Sequence, residues 1–162
     1  MSLLAKMRDT ADGRSAIEII VAGNPAPGGS KNAFLHKTTG RLVVTDAGGA
    51  RTKLWRKAVT EAAISQYEGE PLEGPLWVEA YLYMPRPLGH YGTGKNAGVL
   101  KANAPVYHLK APDATKLWRS TEDSLTGVVW KDDAQVADQK VRKAYVGPLQ
   151  KPGAKILIGR IT

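Results

Sequence analysis

The sequence has no cysteine, three histidines and only 15 Asp plus Glu among its 162 residues. Without cysteine there is no disulfide scaffold, no thiolate zinc site and no cysteine nucleophile. His36, His90 and His108 lie far apart in the chain, which argues against a histidine-based zinc site. No apolar run reaches about 18 residues, so no membrane-spanning helix is expected. Met1 to Arg14 mixes charged and apolar residues without a long apolar stretch, unlike a secretory signal. These absences suit a reducing cytoplasm, and a cytoplasmic location is the expectation. The scarcity of acids is set against 23 Lys plus Arg, for a net charge of +8. Such a surplus points to a polyanionic partner, nucleic acid first, without separating an enzyme from a passive binder.

The length suits one domain with a core of its own. Residues 1–15 read as a flexible polar tail, and 16–162 as a single domain. Ile17, Ile19, Ile20 and Val21 form a short β-branched strand. Asn24 to Ser30, rich in Pro and Gly, breaks regular structure. Phe34 to His36 and Arg41 to Val44 flank a turn at Lys37 to Gly40, as in a β-hairpin. Asp46 to Tyr67 reads as a helix, with Leu54, Ala58 and Ala62, or else Val59 and Ala63, on its apolar face. Arg51, Lys53, Arg56 and Lys57 load its first half with cations, which is also what a solvated face looks like. Trp77 to Met84 reads as a central strand. Arg86 to Ala111, with four glycines and two prolines, reads as a flexible basic loop. Pro112 to Thr126 is a second helix, followed by strands over Gln135 to Val146 and Ala154 to Ile161. The four tryptophans are more naturally core residues than base-stacking platforms, with Trp118 the least clear. The fold class that results is α+β: a small mixed β-sheet with two main helices packed on it.

The few acids are unevenly placed. Of eight aspartates, Asp113, Asp123, Asp132, Asp133 and Asp138 fall within 26 residues. Between Arg86 and Arg119 stand six cations (Arg86, Lys95, Lys101, Lys110, Lys116, Arg119) against Asp113 alone. Carboxylates repel phosphate; their use beside it is to hold a hard cation such as Mg²⁺, with Mn²⁺ as a substitute. Carboxylates in a basic surround therefore have the composition of a metal-dependent nuclease or phosphoryl-transfer site. Asp123 is about 15 Å along the helix from Asp113 and roughly 80° round it, so the two do not share a metal. Asp113 also has the residue type and place of a helix N-cap, which is compatible with a second role. Asp132-Asp133 equally suits a solvated turn.

The segments Lys110-Ala111-Pro112-Asp113, Lys116-Leu117, Arg119, Asp123-Ser124-Leu125-Thr126-Gly127 and Trp130-Lys131-Asp132-Asp133-Ala134-Gln135-Val136 resemble the signature of RusA-type endodeoxyribonucleases. These are Holliday-junction resolvases of phages and prophages. The resemblance spans about Ile17 to Ile161, and its specific part is Lys110 to Val136. It implies a homodimer that nicks four-way DNA junctions in symmetric pairs with Mg²⁺. It places Asp113, Asp133 and Asp132 as catalytic, metal-holding carboxylates, and Arg119 where the family has a functional lysine. It leaves Thr115 at the family's second aspartate, a hydroxyl in place of a charge. The cations expected to contact DNA are Lys110, Lys116, Arg119, Lys101, Lys95, Arg56, Lys57 and Lys143. Two alternatives follow: a branched-DNA binding protein with weakened or lost catalysis, or a basic RNA-binding domain.

Overall fold

The computed structural model describes residues 7–9, 13–29, 31–46, 48–148 and 150–162. Nine regular elements follow in the order β1 (Met7–Asp9), β2 (Ser15–Ala22), β3 (Lys31–Leu35), β4 (Leu42–Asp46), α1 (Gly49–Gln66), β5 (Leu76–Met84), α2 (Ala114–Leu125), β6 (Val136–Tyr145) and β7 (Gly153–Arg160). Five strands form one mixed sheet in the order β1-β2-β7-β5-β6, and β3 and β4 form a separate two-stranded ribbon. β5 and β6 run parallel, with Tyr83 level with Ala144, and the other pairs are antiparallel. The crossover from β5 to β6 carries α2, as a parallel pair requires. The α+β reading with two helices on a mixed sheet describes this architecture.

Both helices bury their apolar sides against one sheet face. Ile17, Ile19 and Val21 of β2, Val78, Ala80 and Leu82 of β5, and Ile156 and Ile158 of β7 supply the sheet half of the core. On α1 the buried set is Thr52, Trp55, Val59 and Ala63, so of the two expected registers the Val59 one is inward, and Leu54 is exposed. On α2 it is Leu117, Trp118, Ser120, Thr121, Ser124 and Leu125. All four tryptophans are buried, Trp77 in a smaller cluster with Ala16 and Leu157, and the indole N–H groups of the other three find partners. Trp55 donates to Thr121 Oγ1 at 3.0 Å, Trp118 to Gln139 Oε1 at 2.8 Å and Trp130 to Thr126 Oγ1 at 3.0 Å. Pairing the N–H inside the core removes the cost of burying it dry.

Two expectations about irregular segments are corrected. Residues 1–15 are not all tail: Met7–Asp9 pairs antiparallel with Ser15–Ile17, while residues 1–6 and 10–12 lie outside the described residues. Residues 86–111 are not a structureless loop. Two short 3-10 turns, Leu88–His90 and Gly94–Asn96, and a Tyr91–Leu100 bridge fold the segment on itself. The Arg86 guanidinium then ties it to the sheet, donating to Val146 O (3.0 Å) and Pro105 O (2.8 Å). His90 and His108 pack edge-on against the Tyr145 ring, each with centroids 4.8 Å away. Backbone groups without strand partners are satisfied by these local bonds instead.

Candidate active site

α2 has two ends of different character. At its start, Ala111-Pro112 is a cis peptide and Asp113 takes the N-cap position in extended backbone. The Asp113 side chain makes no capping hydrogen bond, and it is 70% exposed. Its partner is Lys116 Nζ, one turn on, at 3.7 Å. Lys143 reaches across from β6 and donates to Lys110 O (2.7 Å) and Pro112 O (2.8 Å), bracing the chain just before Asp113. The Asn24–Gly29 loop docks beside them. Gly28 N–H donates to Lys116 O at 2.9 Å, and a side chain at Gly29 would run into the Arg119 stem, 2.6 Å from its Cδ. Gly29 also has φ +76°, so glycine is required there on two counts. Asp113, Lys116, Arg119, Lys110 and Lys143 thus gather at the amino end of a helix, where the first N–H groups and the helix dipole favour an anion.

At the other end, Asp132 and Gln135 build a latch. Asp132 Oδ1 accepts from Ala134 N–H at 2.9 Å, and Gln135 Oε1 accepts from Lys131 N–H and Asp132 N–H, both at 3.0 Å. Gln135 Nε2 donates to Leu72 O (2.9 Å) and Gly74 O (3.1 Å), tying the turn to the chain entering β5. Asp132 is therefore the capping residue of the short Asp133–Gln135 turn, as the solvated-turn reading of this pair expects. Asp133 is exposed and has no ion pair among the described residues. It lies close enough to Glu122 to act on it electrostatically. Partial burial pushes the Glu122 carboxyl above its ordinary range, the Asp133 charge adds to that, and an interaction with the Trp118 indole opposes it.

The two ends are far apart. Nine helical residues separate Asp113 from Glu122, about 14 Å of axis. β6 gives the same answer, since Gln135 immediately precedes it and Lys143, the brace of Asp113, lies eight residues further on. Carboxylates sharing a Mg²⁺ lie within about 2.1 Å of it. Asp113 and Asp133 of one chain thus stand at opposite ends of α2. Among the described residues no group of three acidic or histidine side chains forms a metal cage. Magnesium also binds through one or two carboxylates with waters and phosphate oxygens. Asp113 and Asp133 are both exposed, and neither side chain caps a helix.

Other expected cations are already engaged. Arg56 pairs with Asp123 at 2.5 Å across the α1–α2 contact, Lys57 pairs with Glu61 on its own helix, and Lys101 donates to Gly89 O. Lys95 closes a 3-10 turn at the surface. Thr115 is exposed on the first turn of α2. Sequence reading missed Gln135 as the latch and Glu122 as the acid beside Asp133. The spacing of Glu122 four residues after Trp118, on one side of the helix, was the signal available. A groove of about 800 Å³, lined by Ile17, Leu72, Trp77 and Ile158 among others, involves neither Asp113 nor Asp133.

The family model described as Endodeoxyribonuclease RusA matches residues 24–158. The chain is 25% identical over 152 residues to Uncharacterized protein YqaN of Bacillus subtilis (strain 168), covering 90% of this chain and 97% of that one.

Proposed function

Because the chain belongs to the RusA endodeoxyribonuclease family, we propose that it resolves four-way DNA junctions by paired nicks, acting as a homodimer with Mg²⁺ (or Mn²⁺). One observation carries this reading: an exposed Asp113 that caps nothing, paired with Lys116 at the amino end of α2 where Lys143 braces the preceding backbone. A carboxylate there weakens phosphate binding unless a cation sits between them.

Asp113 and Asp133 would hold the metal. When bound, it polarises the scissile phosphate and lowers the pKa of an attacking water. The chain's own groups do the rest. Lys116 and Arg119 offset the charge that grows on the phosphate oxygens. The Lys143 brace fixes the backbone that carries Asp113, and Gly29, bare of a side chain, leaves room for the Arg119 stem. Lys110 and the basic lobe over 86–111 hold DNA backbone without reading sequence.

The separation of the two aspartates gives the dimer a task. In a two-fold pair, each site would take Asp113 from one protomer and Asp133 from its partner, and each site would face one of two symmetric strands. The test is cleavage of a synthetic four-way junction with Mg²⁺. Asp113→Asn and Asp133→Asn each abolish cutting alone, and the two inactive variants, mixed and refolded together, recover nicking of one strand. A dead mixture would refute the shared site; full activity of either single variant would refute its residue's role.

The second reading, a junction-binding protein with lost catalysis, rests on Thr115. It expects tight, salt-sensitive junction binding, no cutting with either metal, and cutting restored by Thr115→Asp.

A further inference from the structure

The β3–β4 hairpin is the part of the chain that the core does not explain. All five β3 residues are exposed, and Leu35 and Leu42 are 67% and 66% exposed. The register sets Leu35 opposite Leu42 and Ala33 opposite Val44, giving one apolar face, with Phe34 and Val43 on the other. A two-stranded ribbon is at best marginally stable alone, and an apolar patch of this kind marks a binding surface. The charge of the segment says what it binds. Residues 31–46 carry Lys31, Lys37 and Arg41 against a single acid, Asp46, which lies at the root opposite Lys31 and away from the tip. Lys37 stands in the tip, which His36 closes by accepting from Gly40 N–H through its backbone (2.8 Å) and from Thr39 N–H through Nδ1 (3.3 Å); Arg41 follows it. Both roots are fastened near the candidate site: Gly28 and Gly29 lie on Lys116, Ser120 and Arg119 of α2, and Gly48 sits against Thr52 of α1.

We propose that this hairpin is a DNA-gripping arm, lying in a groove of the duplex arm whose backbone reaches Asp113. The inference rests on the reading of the protein as a branched-DNA nuclease. Five-residue strands give the arm a reach of about 17 Å, and a β-ribbon fits the width of a DNA groove. Lys37 and Arg41 meet phosphates at the tip, while Phe34, Leu35 and Leu42 lie against sugars and base edges.

The full-length protein is titrated against a fluorescent synthetic four-way junction, at several salt concentrations and without divalent cations. Lys37→Glu/Arg41→Glu is expected to weaken binding at least 10-fold and to flatten the salt dependence by about two phosphate contacts. Leu35→Ser/Leu42→Ser is expected to weaken binding at least 10-fold with melting temperature and sedimentation unchanged. Wild-type affinity and salt slope in the tip variant would overturn the arm. Loss of dimer in the leucine variant, with junction affinity kept in the tip variant, would make the hairpin a self-association arm instead. Absence of junction binding by the wild type would sink the nuclease reading itself, a different result from a failure confined to the variants.

Discussion

The two ends of α2 use the same residue types for opposite purposes. At the carboxyl end and the turn beyond it, polar groups are spent on structure: Asp132 caps a turn and Gln135 makes four hydrogen bonds to the backbone around it. At the amino end they are withheld from structure. Asp113 occupies a capping position without capping, and its carboxylate faces water beside Lys116. A side chain engaged by several backbone groups holds the fold and has no valence left for a ligand. One that is exposed and unengaged contributes little stability and is available to a ligand. Asp133 belongs to the second kind although it adjoins the first, because the turn needs only one of the two aspartates.

That contrast is open to direct attack. The largest effect is expected from Asp113→Asn: junction cleavage falls on the order of 100-fold or more, while chemical denaturation shifts by less than about 0.5 kcal/mol. An equal loss of stability would erase the difference between the two ends. Gln135→Ala is the mirror experiment. Removing its four hydrogen bonds costs about 2–3 kcal/mol of unfolding free energy, measured by urea titration; a cost near zero would mean the latch is ornamental. Thr115→Asp adds a second carboxylate at the open end and is expected to raise cleavage roughly 10-fold at limiting Mg²⁺, with no gain at saturating metal.

Smaller effects are tied to pH. The Glu122 carboxyl titrates above its ordinary range, chiefly through burial. Its protonated form is favoured by folding, so its contribution to stability is complete in acid and lost as pH rises through that raised value. Glu122→Gln should therefore melt higher than the wild type at neutral pH, and the gain should vanish once pH falls below the carboxylate range. Burial also lowers His90 and His108 from their ordinary 6.5, helped by neighbouring cations. Their neutral rings favour the folded lobe above about pH 6.5, and this is lost as pH falls through the lowered values. Amide protection factors in 86–111, corrected for the intrinsic pH dependence of exchange, are expected to fall in acid before those of the main sheet do.

Much of the architecture was legible from periodicity. The alternation from Trp77 to Met84 became β5, the Leu117-Thr121-Ser124-Leu125 spacing became the buried side of α2, and the turn at Lys37 to Gly40 became the hairpin tip. The segment over 86–111 was illegible for a physical reason. Its order comes from Arg86, His90 and His108 gathering on Tyr145, which lies in a strand beyond α2. Local sequence carries no trace of such contacts. Arg56 was misleading in the same way: its charge is visible in the sequence, its pairing with Asp123 is not.

By itself the sequence determined the chemistry available to this protein. Lacking thiols, with few acids in a basic chain, it offers carboxylates and no thiolates, and the sequence of Lys110 to Val136 fixes where those groups stand along the chain. Only the tertiary structure decided which of them are free. Spacing along a chain sets the residues that can be neighbours within a helix turn, but hydrogen bonds from elsewhere consume some and leave others, and that competition gave Asp132 to the fold while leaving Asp113 and Asp133 exposed at opposite ends of α2.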